Sequence, residues 1–276
     1  MTLIVQISDL HLRPRGMPAL RVSETNMFAT RTVDFLNRLD PRPDGVIITG
    51  DLADTGGISE YESARDILSR LELPFWAIPG NHDDSETMKT AFSDHGWAKQ
   101  MPGRTLQFVA EIGELRVIGL DTSVPGKPYG LMELEQLDWL SERLAEDTAT
   151  PTLIALHHPP IETGIRHMDR SMMRDPGPLE AVLSGHGNII ATICGHQHRM
   201  IVGKFAGAPI MVTPGVAHQV AFDLTEEGPS AFVFEPPAAM FHLFKDGKLT
   251  SHMAYIEKFP GPYPFWPDSE QRWPGY

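Results

Sequence analysis

Five short polar segments are spread along this chain, each directly behind a mostly apolar, β-branched run. They are Asp9-Leu10-His11, Gly50-Asp51, Gly80-Asn81-His82-Asp83, His157-His158 and Gly195-His196-Gln197-His198. The runs in front of them (residues 3–7, 45–49, 75–78, 152–156 and 188–194) read as buried strands. Helical patterns fall between the strands. Residues 24–39 place Met27, Phe28, Val33, Phe35, Leu36 and Leu39 at helical spacing, and Pro41 and Pro43 end the pattern. Ser59 starts a second helix, with Glu62 as its capping-box partner. Further helices are expected over 133–144 and near Leu179. Residues 106–120 form a hairpin around Gly113-Glu114, two or three strands occupy 200–235, and a second hairpin spans 239–257 around Asp246-Gly247. The pattern is α/β in the first part and β-rich in the last third.

In open α/β sheets, ligands bind beyond the carboxyl ends of the strands. Five strand ends here carry polar side chains, and glycines that permit sharp turns precede Asp51, Asn81 and His196. Asp9 and His11 are two residues apart, as are His196 and His198, so in extended chain each pair points one way and can serve one ion or two adjacent ions. Taken singly, each segment has an ordinary reading: a turn aspartate, a turn asparagine, a surface histidine or a rigid loop. Taken together they offer more ligands than one divalent ion needs. Two ions sharing a ligand would use them, and a two-metal site is suited to attacking phosphate esters. Imidazole, carboxylate and amide donors without thiolate favour Zn, Fe, Mn or Co over Ca or Mg.

The chain has 276 residues, enough for one large domain, and a formal net charge of −13. That charge argues against a nucleic acid polymer or an anionic membrane as partner. No apolar stretch approaches the ~20 residues that span a bilayer, and no leader is evident, so a cytoplasmic location is expected. The single cysteine, Cys194, lies in an apolar run and reads as a core residue. The segment 259–276 is rich in proline and aromatics (Phe259, Tyr263, Phe265, Trp266, Trp273, Tyr276) and is expected to pack across its own domain or a neighbouring subunit.

The five segments resemble the signature blocks of the calcineurin-like metallophosphoesterases in residue type and order. The variants Gly50-Asp51-Leu52-Ala53-Asp54 and His157-His158-Pro159-Pro160 resemble the bacterial class III cyclic nucleotide phosphodiesterase and glycerophosphodiesterase branch. The resemblance implies a four-layer αββα sandwich of two mixed sheets flanked by helices, with a β-rich C-terminal extension. It divides the chain into a catalytic core over 1–200 and, over 201–276, core-completing strands plus a hairpin and aromatic tail expected to make a homodimer or higher homo-oligomer. One metal would be held by Asp9, His11, Asp51 and His198, the other by Asp51, Asn81, His157 and His196, with Asp51 shared. His82 would face the phosphoryl group rather than bind metal.

The implied activity is hydrolysis of a small phosphodiester, a 3′,5′-cyclic nucleotide or a glycerophosphodiester, by a hydroxide generated between the ions. Asp51 and His82 are the residues expected to carry it. His82 would stabilise charge or protonate the leaving oxygen. Asp83 is expected either to orient His82 or to serve a turn, and His158 either to orient His157 or to play a structural part. Residues 124–131, 161–174 and 215–219 are expected to wall the pocket, with Arg166, His167, Met168, Arg170 and His218 as possible substrate contacts. The competing readings are a phosphomonoesterase or protein phosphatase on the same core, and a non-catalytic metal-bound scaffold.

Overall fold

A computed structural model describes residues 1–263. The strands and helices run in chain order as β1 (Thr2–Ile7), α1 (Thr25–Leu36), β2 (Gly45–Ile48), α2 (Ile58–Leu68), β3 (Phe75–Ala77), α3 (Ser85–Ala91), β4 (Phe108–Ile112), β5 (Leu115–Gly119), α4 (Leu134–Glu146), β6 (Thr152–Leu156), α5 (Arg166–Asp169), α6 (Gly177–Ser184), β7 (Ile189–Cys194), β8 (Ile201–Phe205), β9 (Ala208–Val212), β10 (Gln219–Val220), β11 (Phe232–Val233), β12 (Ala238–Lys245) and β13 (Lys248–Tyr255).

Two large sheets result. The first has the order β13-β12-β1-β2-β3, with β1, β2 and β3 parallel and β12 antiparallel to β1. The second has the order β4-β5-β6-β7-β9-β8; its four central strands are parallel and both edges antiparallel. β10 and β11 form a separate ribbon.

Side-chain alternation explains the layering. In β5, β6 and β7, Val117, Leu153, Ala155, Ala191 and Ile193 join the core shared with β1, β2, α1 and α2. Their sequence neighbours Ile118, Ile154, Leu156 and Cys194 join a second core with Leu137, Leu140 and Leu144 of α4 and Leu179 and Leu183 of α6. A strand facing apolar layers on both sides must be apolar throughout, which is why these runs do not alternate. The order is therefore helices, sheet, sheet, helices, as expected.

The hairpin of β12 and β13 is part of the first sheet, because β12 pairs with β1 from Thr2↔Phe244 to Gln6↔Met240. Between the sheets, a buried chain of hydrogen bonds crosses from β13 toward the site. Ser251 meets His242 Nδ1 at 2.8 Å, His242 Nε2 meets Gln6 at 3.1 Å, and Gln6 Nε2 donates to Thr49 Oγ1 and to the Cys194 carbonyl at 3.0 and 2.9 Å.

Three local expectations are corrected. α2 starts at Ile58 with Gly57 as its N-cap, and the acidic partner is Glu60, whose carboxylate accepts from Gly57 N at 3.1 Å; Ser59 and Glu62 do not form that box. α3 was not anticipated; Asp84 caps it by accepting from Thr87 N. The region 200–235 holds four strands, counting the two short ones. Phe259 and Tyr263 are exposed, while Phe265, Trp266, Trp273 and Tyr276 lie outside the described residues. Among the described residues no helix is long and apolar enough to cross a membrane.

Candidate metal centre

All eight residues singled out as ligands or catalyst converge at the seam between the two sheets. The first sheet brings Asp9 and His11 behind β1, Asp51 behind β2, and Asn81 and His82 behind β3. The second brings His157 behind β6, and His196 and His198 behind β7. The local backbone differs from the expected extended pairs. Asp9, His11, Asp51, His196 and His198 all have positive φ, between 46° and 72°. This region is uncommon for residues with a side chain and costs on the order of 1–3 kcal/mol each. Five of the seven expected ligands therefore sit on tight left-handed turns, held by the strands on either side.

Glycine is required where chains pass closest. A methyl group on Gly80 would overlap the Asp51 carboxylate, and Gly50, at φ +101°, passes against the His157 ring.

The side-chain atoms form two groups that meet at Asp51. In the first, His11 Nε2 and His198 Nε2 are 3.2 Å apart, His198 Nε2 is 3.3 Å from Asp9, and His11 Nε2 is 3.6 Å from Asp51 Oδ2. In the second, His157 Nε2 lies 3.4 Å from the same Asp51 oxygen and 3.2 Å from Asn81 Oδ1. The other Asp51 oxygen accepts the backbone N–H of His82 at 2.9 Å.

The remaining ring nitrogens point outward to fixed acceptors. His11 Nδ1 meets Asp54 at 3.2 Å, His157 Nδ1 meets the Thr49 carbonyl at 2.7 Å, and His198 Nδ1 meets the His218 carbonyl at 2.9 Å. An imidazole that gives its one hydrogen to an outer acceptor turns a bare nitrogen inward. His11 Nε2 and His198 Nε2 thus face each other at 3.2 Å, where a cation between them and the carboxylates would take both. The donor set fits divalent transition metals, with nitrogen and oxygen donors and no thiolate. Asp9, His11, Asp51 and His198 have ligand atoms mutually within 4.8 Å.

Electrostatics follow from burial and crowding. Burial and the neighbouring Asp51 charge raise Asp9 to about 6. Burial works the same way on Asp51, but the charges of His157 and His82 hold it well below the usual carboxylate range. Burial disfavours charge on His157, yet Asp51 lifts it to about 9. Burial and neighbouring rings push His196 well down and His198 to about 3. Without metal the site thus balances Asp51 against His157, and a bound metal would take the place of the His157 proton.

His82 is exposed to the cleft and fixed through Nδ1, which meets the Asp54 carbonyl at 2.7 Å. Asp83 does not orient it. The Asp83 carboxylate accepts from Leu52 N, Ala53 N and Gly80 N at 2.9–3.0 Å and from the Tyr61 hydroxyl at 2.9 Å, serving the turn. His158 is held by Thr122 Oγ1 at 2.7 Å and fits against Gly130.

The cleft over the site has a volume of about 380 Å³. Residues 161–174 line it through His167 and Met168, and residues 215–219 through His218. Arg166 instead pairs with Glu226 at 3.2 Å, and neither Arg170 nor residues 124–131 reach it. Leu20, Asp54, Val220 and residues 230–232 line it without having been anticipated. The spacing Asp51-Leu52-Ala53-Asp54 carried a signal for Asp54; the others follow from chain routing alone.

A family profile described as calcineurin-like phosphoesterase matches residues 2–200. A protein of Arcobacter nitrofigilis named "Probable glycerophosphodiester phosphodiesterase GpdQ" is 35% identical over 266 residues, covering 96% of this chain and 97% of its own. The 3′,5′-cyclic adenosine monophosphate phosphodiesterase CpdA of Escherichia coli is 29% identical over 78% of this chain and 76% of its own. Among solved structures, a dimetal phosphatase from Danio rerio superposes with a TM-score of 0.66 at 13% identity, over 93% of this chain and 97% of that one.

Proposed function

The chain belongs to the calcineurin-like phosphoesterase family, and from that premise we propose that it is a metal-dependent phosphodiesterase acting on small phosphodiesters. The single observation that carries the reading is the Asp51 carboxylate placed between two histidine-rich groups, with His82 beside it on the cleft side. In this reading Asp9, His11, Asp51 and His198 hold one ion, and Asp51, Asn81, His157 and His196 hold the other. When bound, divalent ions supply Lewis acidity, acidifying water and neutralising charge on the phosphoryl oxygens.

The chain's own residues do the rest. Asp54, Thr49 and His218 hold the outer nitrogens of His11, His157 and His198, so these rings keep their direction. His82 spends its Nδ1 hydrogen on the Asp54 carbonyl, so Nε2 donates only when the ring is an imidazolium. In that form it hydrogen-bonds a phosphoryl oxygen or delivers its proton to the departing alkoxide. Leu20, Met168 and Phe232 present apolar surface to the leaving group.

Glycerophosphodiesters are the first substrates to try, because a relative 35% identical over 96% of this chain carries that name; 3′,5′-cyclic nucleotides are the second. The test compares bis(p-nitrophenyl) phosphate with p-nitrophenyl phosphate in the presence of Mn²⁺, Co²⁺ or Zn²⁺, then glycerophosphocholine with cAMP. Preferential, chelator-sensitive cleavage of the diester is expected. Faster cleavage of the monoester, or no cleavage by metal-loaded protein, would overturn the reading in favour of a monoesterase or a scaffold. We further propose that the chain assembles as a homo-oligomer through residues 201–276, on the support of the exposed edge strand β13 and the aromatic residues beyond it.

A further inference from the structure

We propose that Ser171 is a positioning residue for His196, fixing which ring nitrogen this ligand turns toward the second ion and tying it to the loop that lines the cleft. The proposal rests on the two-ion reading above. Its basis is a count of hydrogens. The Ser171 hydroxyl lies 3.0 Å from the Met168 carbonyl and 3.1 Å from His196 Nε2. A hydroxyl carries one hydrogen, and a carbonyl oxygen can only accept. We assign that hydrogen to the Met168 carbonyl, which leaves the serine oxygen to accept from His196. His196 Nε2 must then be protonated, and in the neutral ring the bare nitrogen is Nδ1. Among the described residues Nδ1 has no hydrogen-bond partner.

His196 is thus the reverse of its neighbours. His11, His157 and His198 give Nδ1 to acceptors and keep Nε2 inward. Two of those three acceptors are backbone carbonyls, whereas His196 is held by a side chain on the loop at residues 161–174. Asp169 braces that loop by accepting from Thr163 N, Thr163 Oγ1 and Gly164 N at 2.7–2.9 Å. Met168, whose carbonyl takes the serine hydrogen, also lines the cleft. One turn of chain therefore both contacts the cleft and sets the direction of a metal ligand. Nothing in the residues around His196 announces this, since Ser171 is 25 positions away in sequence.

Two measurements test the proposal. Long-range ¹H–¹⁵N correlation spectra of chelator-treated protein, with His196 assigned from a His196→Gln variant, report which nitrogen carries hydrogen. The Nε2–H tautomer is expected for the natural protein and a tautomer mixture for Ser171→Ala. Calorimetric titration with Mn²⁺ should show Ser171→Ala weakening one of two sites by about 10–100-fold, with the other unchanged and Ser171→Thr restoring the weakened site. An Nδ1–H tautomer in the natural protein, wild-type affinities at both sites of Ser171→Ala, or equal loss at both sites would each overturn the assignment. If the natural protein bound only one ion, the two-ion reading would fail, while the tautomer spectrum would still decide the role of Ser171.

Discussion

Single atoms decide what the histidines here can do. Each ring has one hydrogen when neutral, so the outer acceptor determines the inner nitrogen. His82 differs from the candidate ligands because its Nδ1 is fixed on a backbone carbonyl while the residue is exposed and lines the cleft. Two substitutions separate these roles. Asp51→Asn should lose bound metal, measured by elemental analysis after dialysis, together with diesterase turnover. His82→Ala should keep its metal and lose about 10²–10⁴-fold in kcat; loss of metal in that variant would show that His82 is a ligand. The candidate ligands' strand-end positions were legible in the sequence because the blocks are short and local. The roles of Asp83 and Ser171 were not, because they depend on partners brought close only by folding: Tyr61 for one, His196 for the other.

Among the elements, the strands were read with most success. Runs such as residues 152–156 are apolar because both faces are covered, and burial leaves a plain record in composition. Helix starts were less legible. Glu60 rather than Glu62 closes α2, since Gly57 caps the helix without a side chain. The left-handed turns behind the strands left no composition signal except their glycines. Those glycines make a further prediction. Gly80→Ala places a methyl group against the Asp51 carboxylate. It should lower metal affinity by about 5–150-fold, since forcing a methyl group into a packed contact typically costs about 1–3 kcal/mol. The far-ultraviolet circular dichroism should stay unchanged, because the sheet cores lie behind the turn. Normal metal uptake by Gly80→Ala would show that the turn has room to give.

Across the molecule, burial of neutral histidine makes stability depend on pH. His242 is enclosed between Gln6 and Ser251, and burial lowers it to about 4. Between that value and the ordinary 6.5, the unfolded chain binds a proton that the folded chain refuses. Its contribution is therefore complete above pH 6.5, is lost as pH falls from 6.5 to 4 and changes no further below 4, a loss of up to about 3 kcal/mol at 1.36 kcal/mol for each tenfold change in proton affinity. Denaturant midpoints measured in chelator should fall from pH 7 to pH 4, and His242→Gln should flatten part of that slope; an unaltered slope would remove His242 as its source.

The two sheets share no strand pairing, and the candidate ligands come from both: five of the eight polar residues from the first sheet and three from the second. The ions would then act as rivets through two plates. A fold built this way is stiffest where it is charged, and the same occupancy that arms the catalyst would keep the plates from sliding past each other.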